Sequence, residues 1–337
     1  MRVKFLAVAG LLAALATPAF AEPLSPALKD STVKANGLKF HVVSGGKGPL
    51  MLFLHGFPAH WYMWRDQLNE FSIDHTVAAP DTRGVNLTEK APNLDGYKYA
   101  VLVEDVKALA EKLGKKGEKF TLVAHDWGGL IAWGFAMKYP EMLDKLIIIN
   151  APHPITFERE MRENPIQRLG STYMFAFNNF DGYKWDEQMS KNDFGALAGS
   201  LTGGAVKAGV YTAEDQKQWV DAWKVPGSMD AGLNYYRANH LNPPFNDTHP
   251  ADKIPTSYTA KEMLAGFTNT QIAVPTLVIW GLGDSALQGG NLSGIEKYVT
   301  NAKFKFYPTQ DHWVSVVKAK EVNADIRSFL TTGQPAK

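Results

Sequence analysis

The chain reads as an α/β protein, with a mostly parallel sheet, helices on both faces and a helical cap inserted near its middle. Three observations predict this. Short apolar runs alternate with helical patterns from residue 50 to residue 149, as in successive strand–helix–strand units. From Pro154 to about residue 268 buried-strand runs give way to aromatic-rich helical stretches, and at Thr276 the alternation resumes. The expected division is a leader over 1–21, a core over 22–154 and 269–337, and a cap over 155–268. The cap should lie over the carboxyl edge of the sheet, where open α/β sheets bind ligands.

The N-terminal residues stand apart. MRVK is basic, Phe5 to Ala16 is apolar and Ala19-Phe20-Ala21 is a small-x-small cleavage pattern, which together predict an export signal cut after Ala21 and a periplasmic or secreted protein. The apolar run is too short for a stable membrane anchor. Losing Arg2 and Lys4 turns a formal charge of +1 into −1.

Thr32–Ala35 and Leu38–Val43, joined by Asn36-Gly37, are expected to form a hairpin. Gly45–Gly48 is expected as a loop, and Leu50–Leu54 as a strand covered on both faces. After it come His55-Gly56-Phe57-Pro58 and the aromatics of Trp61-Tyr62-Met63-Trp64-Arg65. A strand over Thr76–Ala79, a helix over Tyr97–Leu113 and strands over Phe120–Ala124 and Leu143–Ile149 follow. Helices over Ala213–Trp223 and Ala231–Ala238 belong to the cap. Strands over Thr276–Trp280 and Lys303–Tyr307 and a helix over Val317–Leu330 complete the chain.

The centre of this plan is Ala124-His125-Asp126-Trp127-Gly128-Gly129, between a buried strand and a helix. A polar residue flanked two places away by small residues is the pattern of a nucleophile elbow, whose tight turn leaves no room for larger neighbours. Its middle residue is Asp126, at a helix start that favours negative charge; alone, it would serve equally as an N-cap. The N–H groups of Trp127 and of Phe57, which follows the turn-forming Gly56, suit an oxyanion hole. Asp284 and His312 each follow a later strand, so nucleophile, acid and base come in that chain order. The strand ending at Asn150 offers no carboxylate, which leaves Asp284 to orient the base. His125 should point away from Asp126.

The composition excludes several classes. There is no cysteine, so disulfides, zinc–thiolate sites and thiol catalysis are ruled out. The near-neutral charge and absence of a long basic run argue against nucleic-acid binding.

These residues resemble the α/β-hydrolase superfamily and, within it, the epoxide hydrolases. The likeness runs over nearly the whole mature chain, through HGFP at 55–58, DTRG at 81–84, HDWGG at 125–129, NAPHP at 150–154, NYYRA at 234–238, WGLGD at 280–284 and DHW at 311–313. It implies Asp126 as nucleophile, Asp284 as charge-relay acid and His312 as base. It also implies two cap tyrosines that bind the epoxide oxygen, which fall on Tyr173 and Tyr236, with Tyr183 and Tyr211 as fallbacks. Trp61, His153 and Tyr235 are placed around the substrate pocket. The chain departs from exported members of that family, which carry Glu after the strand ending here at Asn150 and a His/Tyr pair in the cap.

The implied reaction is the opening of a small apolar epoxide to a 1,2-diol through an ester on Asp126, which water then hydrolyses. No cofactor or metal is expected, and the protein is expected as a monomer or homodimer. Dehalogenation uses the same Asp/His/acid chemistry and is the nearest alternative, although Phe57 stands where haloalkane dehalogenases carry Asn or Glu. A secreted binding module without turnover is the alternative of another class.

Overall fold

The computed structural model describes residues 23–178, 184–244 and 257–336. The expected export signal and the fallback Tyr183 lie outside the described residues. Eight strands form one sheet: β1 Lys29–Ala35, β2 Leu38–Gly46, β3 Leu50–Leu54, β4 Thr76–Pro80, β5 Phe120–His125, β6 Leu143–Ile149, β7 Thr276–Gly281 and β8 Ala302–Tyr307. Their order is β1-β2-β4-β3-β5-β6-β7-β8. β2 runs antiparallel to β1 and β4, and the other pairings are parallel.

The Asn36-Gly37 hairpin has positive φ at both turn residues, 41° and 81°, the geometry that matches the twist of the strands it joins. The loop expected at Gly45–Gly48 is partly strand. Gly45 and Gly46 pair with Val77 and Thr76 of β4, and a Cβ on Gly45 would meet the Ala27 carbonyl oxygen at 2.3 Å. Close backbone approach, rather than a turn, accounts for that glycine.

Helix α1 (Arg65–Phe71) follows β3, α2 (Tyr99–Leu113) precedes β5, and α3 (Trp127–Lys138) follows it. The helix expected from Tyr97 starts at Tyr99, after a 3-10 turn over Leu94–Tyr97. Between β6 and β7 come α4 (Pro154–Glu163), α5 (Pro165–Gly170), α6 (Tyr173–Phe177), α7 (Trp185–Met189), α8 (Lys191–Leu201), α9 (Gly203–Lys207), α10 (Ala213–Lys224), α11 (Ser228–Ala238) and α12 (Ala260–Met263). After β8 come α13 (Val314–Val317) and α14 (Ala319–Thr332), the latter being the last helix expected over Val317–Leu330. Among the described residues no helix is long and apolar enough to cross a membrane.

Alternate strand residues divide the core. Leu52, Leu54, Leu122, Ala124, Leu146, Ile148, Val278 and Trp280 pack with α2 and α3. Met51, Phe53, Val123, Ile147, Ile149, Leu277 and Ile279 pack with α1 and α14 through Leu68, Phe71, Val322, Ile326 and Phe329. That period of two explains why these strands are continuous apolar runs, since both faces are covered. Truncating Phe53 to Ala in such a core costs about 3–5 kcal/mol.

The helical stretch between β6 and β7 is fastened to loops at the carboxyl ends of β3 and β4. Trp223 Nε1 donates to the Pro58 carbonyl at 2.6 Å, and Tyr235 Oη to the Arg83 carbonyl at 2.9 Å. Arg65 Nη1 and Tyr62 Oη both donate to Asp215 Oδ1 at 2.5 Å. Asp215 also closes the capping box of α10 with Thr212.

Candidate active site

The sharp turn between β5 and α3 holds Asp126 at φ 53°, ψ −124°, a conformation a non-glycine residue adopts only when its surroundings enforce it. Here the enforcement is crowding. A Cβ on Gly128 would meet the Leu54 and His55 carbonyl oxygens at 2.4 and 2.6 Å, so the first turn of α3 lies directly on the end of β3. Asp126 makes no side-chain cap bond to its helix. Its Oδ1 instead accepts from Phe57 N at 2.8 Å, and a Cβ on Gly56 would meet that same oxygen at 2.1 Å. The peptide joining Phe57 to Pro58 is cis.

His312, in the turn after β8, stands with Nε2 3.6 Å from Asp126 Oδ2. Its Nδ1 donates to Asp284 Oδ2 at 2.7 Å. The carboxylate of Asp284 is saturated: Oδ1 accepts from Ala286 N and Leu287 N, both at 2.9 Å, and Oδ2 also accepts from Asn150 Nδ2 at 2.8 Å. Asn150 has a φ of 41°, and its Oδ1 takes Gly281 N at 2.8 Å. Sequence reasoning missed this support because it sought a carboxylate there. An Asn closing a strand was the one available signal, since Asn tolerates the left-handed region.

The electrostatics follow from burial and pairing. Burial raises the Asp126 carboxyl above its ordinary pKa, against the opposing pull of His312 and of the Trp127 and Phe57 N–H groups. Burial alone would lower His312, but the Asp284 and Asp126 carboxylates outweigh it and raise the imidazole to about 9. Burial would raise Asp284, yet His312, Leu287 N–H and Asn150 hold it below the usual carboxylate range. The Asp126 and His312 side chains remain 12% and 16% exposed, whereas Asp284 is enclosed at 1%.

Over Asp126 lies a cavity of about 20 Å³, lined by Trp127, Leu130, Tyr173, Met174, Tyr236 and Leu287 among others. It is large enough for about one water. The Tyr173 and Tyr236 rings are 6.3 Å apart at 78°. Burial, the neighbouring Asp126 and, for Tyr236, also Tyr173 raise both phenols above their ordinary pKa, so both remain hydrogen-bond donors near neutral pH. Trp127 Nε1 is buried there without a partner.

Three expected pocket residues do not line this cavity. Tyr235 turns its hydroxyl to the Arg83 carbonyl and lines a separate small cavity with Leu102 and Val106. His153 is fully buried, stacked on Tyr298 at 4.9 Å, with Nδ1 accepting from Ile155 N. Trp61 sits edge-on to Tyr62 and His60 and does not line the cavity. The fallback Tyr211 packs under Arg65 and against Trp219. A larger cleft of about 600 Å³ lies between α1 and α14 and contains none of the candidate residues, so size alone does not choose the site. Among the described residues no group of three or more His, Cys, Asp or Glu side chains is arranged to hold a metal ion.

The chain as a whole is similar to known proteins. A family model for the alpha/beta hydrolase fold matches residues 49–319. Epoxide hydrolase 4 of Mus musculus is 33% identical over 307 residues, covering 88% of this chain and 78% of that protein. The AB hydrolase superfamily protein YfhM of Bacillus subtilis is 32% identical, covering 90% and 98%. The crystal structure of a Bacillus megaterium epoxide hydrolase in complex with an inhibitor is 36% identical, covers 90% of this chain and 100% of its own, and superposes with a TM-score of 0.79.

Proposed function

The chain belongs to the epoxide hydrolases of the α/β-hydrolase fold, and from that premise we propose that it opens an epoxide through an ester on Asp126. The observation that carries the reading is one carboxylate facing three kinds of partner: Phe57 N–H on Oδ1, the His312 imidazole 3.6 Å from Oδ2, and two tyrosines around the adjoining cavity.

Asp126 Oδ2 attacks an epoxide carbon, and the carbon–oxygen bond of the ring breaks. The departing oxygen gathers negative charge, and the Tyr173 and Tyr236 hydroxyls donate to it, so no free alkoxide is expelled. The Asp126 ester is uncharged. One of the two carboxylates that raise His312 is thereby lost, and the imidazole, its proton passed on to the tyrosine-held alkoxide oxygen, becomes a neutral base oriented by Asp284. It takes a proton from water, which attacks Cγ. The tetrahedral oxyanion forms on Oδ1, where Phe57 and Trp127 N–H groups donate to it. Collapse breaks the Cγ–Oδ2 bond; the leaving oxygen takes the proton held by His312, the new Asp126 carboxyl restores that proton to the imidazole, and the second oxygen of the diol thus comes from Asp126. A cavity of about 20 Å³ suits the hydrolytic water, and an organic epoxide enters only as the lining side chains turn aside. The leader over 1–21 belongs to the same proposal as an export signal, tested by the N-terminal sequence of the mature protein.

The test is the intact mass of a His312→Gln variant mixed with epoxides and haloalkanes. An adduct equal to the whole epoxide, absent when Asp126 is also replaced by Ala, is the expected result. The buried, unpartnered Trp127 Nε1–H beside Asp126 favours a second reading, since it is placed to meet a leaving halide. An adduct equal to substrate minus hydrogen halide would select that reading, and no adduct from any substrate would favour the binding module.

A further inference from the structure

We propose that His125 is a positioning residue for the base, holding the main chain of His312 in register with the nucleophile next to which His125 stands. The inference rests on the reading of His312 as the base of ester hydrolysis.

His125 ends β5, one residue before Asp126, and is fully buried. Its Nε2 lies 2.8 Å from the carbonyl oxygen of His312. A carbonyl only accepts, so Nε2 carries the proton, and Nδ1, which has no partner, is the bare nitrogen of a neutral ring. The ring lies 4.5 Å from the His312 ring and 5.3 Å from that of Trp313. It therefore grips the base at its own peptide and also supports its imidazole.

Apart from the side-chain bond of His312 Nδ1 to Asp284, the other tethers of this turn are less direct. Gly283 N donates to the Gln310 carbonyl at 2.8 Å, and Trp313 N to Asp311 Oδ1 at 3.0 Å. Neither bond falls on His312, and neither comes from the strand that carries the nucleophile. Through His125, one strand end sets both partners of the 3.6 Å approach between Asp126 and His312. A neutral imidazole suits the task, because a charged donor at this depth would cost far more to bury.

Ester formation needs Asp126 and the tyrosines, whereas ester hydrolysis needs Nε2 of His312 aimed at water. Loosening the base should slow the second step alone. Two variants separate anchoring from packing. His125→Phe keeps a flat ring without the donor, while His125→Gln carries an amide N–H the same number of bonds from Cβ as Nε2. A packing role favours Phe, and an anchoring role favours Gln.

Rapid quench with intact-mass detection, using an epoxide that the wild type turns over, reads both steps. In His125→Phe, kcat should fall about ten- to a hundredfold, as for a misaligned catalytic group, with ester accumulating and kcat/KM held within about twofold. His125→Gln should stay within about fivefold of wild type by the same reasoning. If His125→Phe does not fold by circular dichroism, His125→Asn, whose amide is one bond too short, replaces it with the same expectation. Wild-type hydrolysis in the donor-less variant, equal impairment of both variants, or a parallel loss of kcat/KM would each overturn the inference. Failure of wild-type protein and His312→Gln to form any Asp126 ester would instead overturn the reading on which it rests.

Discussion

Replacing His312 by Gln should remove a pH-dependent part of the stability, because the imidazole is held charged between two carboxylates. Its pKa rises from 6.5 to about 9 on folding. A raised pKa stabilises the fold fully below the unfolded value of 6.5 and loses that contribution as pH climbs through about 9. A gap of roughly 2.5 pH units corresponds to a ceiling of about 3 kcal/mol. At pH 7 most of it, about 2–3 kcal/mol, remains, and by pH 10 almost none. The side chain is only 16% exposed, so screening by solvent trims this modestly. Urea unfolding of wild type and variant, from about pH 6.5 to about pH 10, measures it, since lysine and tyrosine titrations common to both cancel in the difference. The stability gap between the two proteins should shrink by about 2–3 kcal/mol over that range. A gap that stays constant would refute the charged imidazole, and with it the argument that esterifying Asp126 releases His312 to act as a base. The kinetic counterpart is single-turnover hydrolysis of the ester, which should rise with pH as the imidazole loses its proton, around a midpoint lowered by the loss of the Asp126 charge.

Three further outcomes are expected. Tyr236→Phe and Tyr173→Phe should each slow ester formation, on the order of a hundredfold for loss of one donor to a developing oxyanion, read from ester build-up in a His312→Gln background; unchanged rates would remove the tyrosines from the mechanism. Asn150→Ala takes one donor from Asp284 Oδ2 and should cost about 1–3 kcal/mol in urea unfolding. Because Oδ2 also receives His312, the same variant should slow ester hydrolysis more than ester formation, and the reverse order would contradict the support assigned to Asn150. Asp215→Ala strips a partner from the buried Arg65 and Tyr62 and should destabilise by about 3 kcal/mol, the low end for a broken buried pair, because Asp66 still holds the guanidinium; a loss under about 1 kcal/mol, the scale of a surface pair, would show that the clamp between α1 and α10 bears little load.

Much of the framework was legible because it is written in local pattern. Leu50–Leu54 and Leu143–Ile149 are apolar runs that only a doubly covered strand accommodates, and both are strands with those bounds. Asn36-Gly37 names its own turn. The harder cases turn on which way a side chain faces. Tyr235 and Tyr236 are neighbours on α11, about 100° apart around the helix, so only one can face the cavity; Tyr236 does, and Tyr235 bonds Arg83. Gly45 and Gly46 looked like a loop because a glycine required by close backbone contact and one required by a turn are the same letter.

The position of the base is the clearest case of information absent from local sequence. β8 lies three strands from β5, with β6 and β7 between, so their ends are roughly 14 Å apart at the usual strand spacing. His312 reaches Asp126 only because the chain leaving β8 turns back across the end of β7. Gly281 permits the crossing, since a Cβ there would meet the Asp311 and Gln310 carbonyl oxygens at 2.2 and 2.7 Å. At the far side, His125 Nε2–H donates to the His312 carbonyl. A glycine at one end of the crossing and a histidine at the other thus act on the same few backbone atoms, and neither residue need touch a substrate. Gly281→Ala should therefore resemble His125→Phe in its kinetics, with ester formed normally and hydrolysed slowly, and rapid-quench measurement of both steps checks this. If Gly281→Ala slowed ester formation as much as hydrolysis, the crossing would be a support of the whole site rather than of the base.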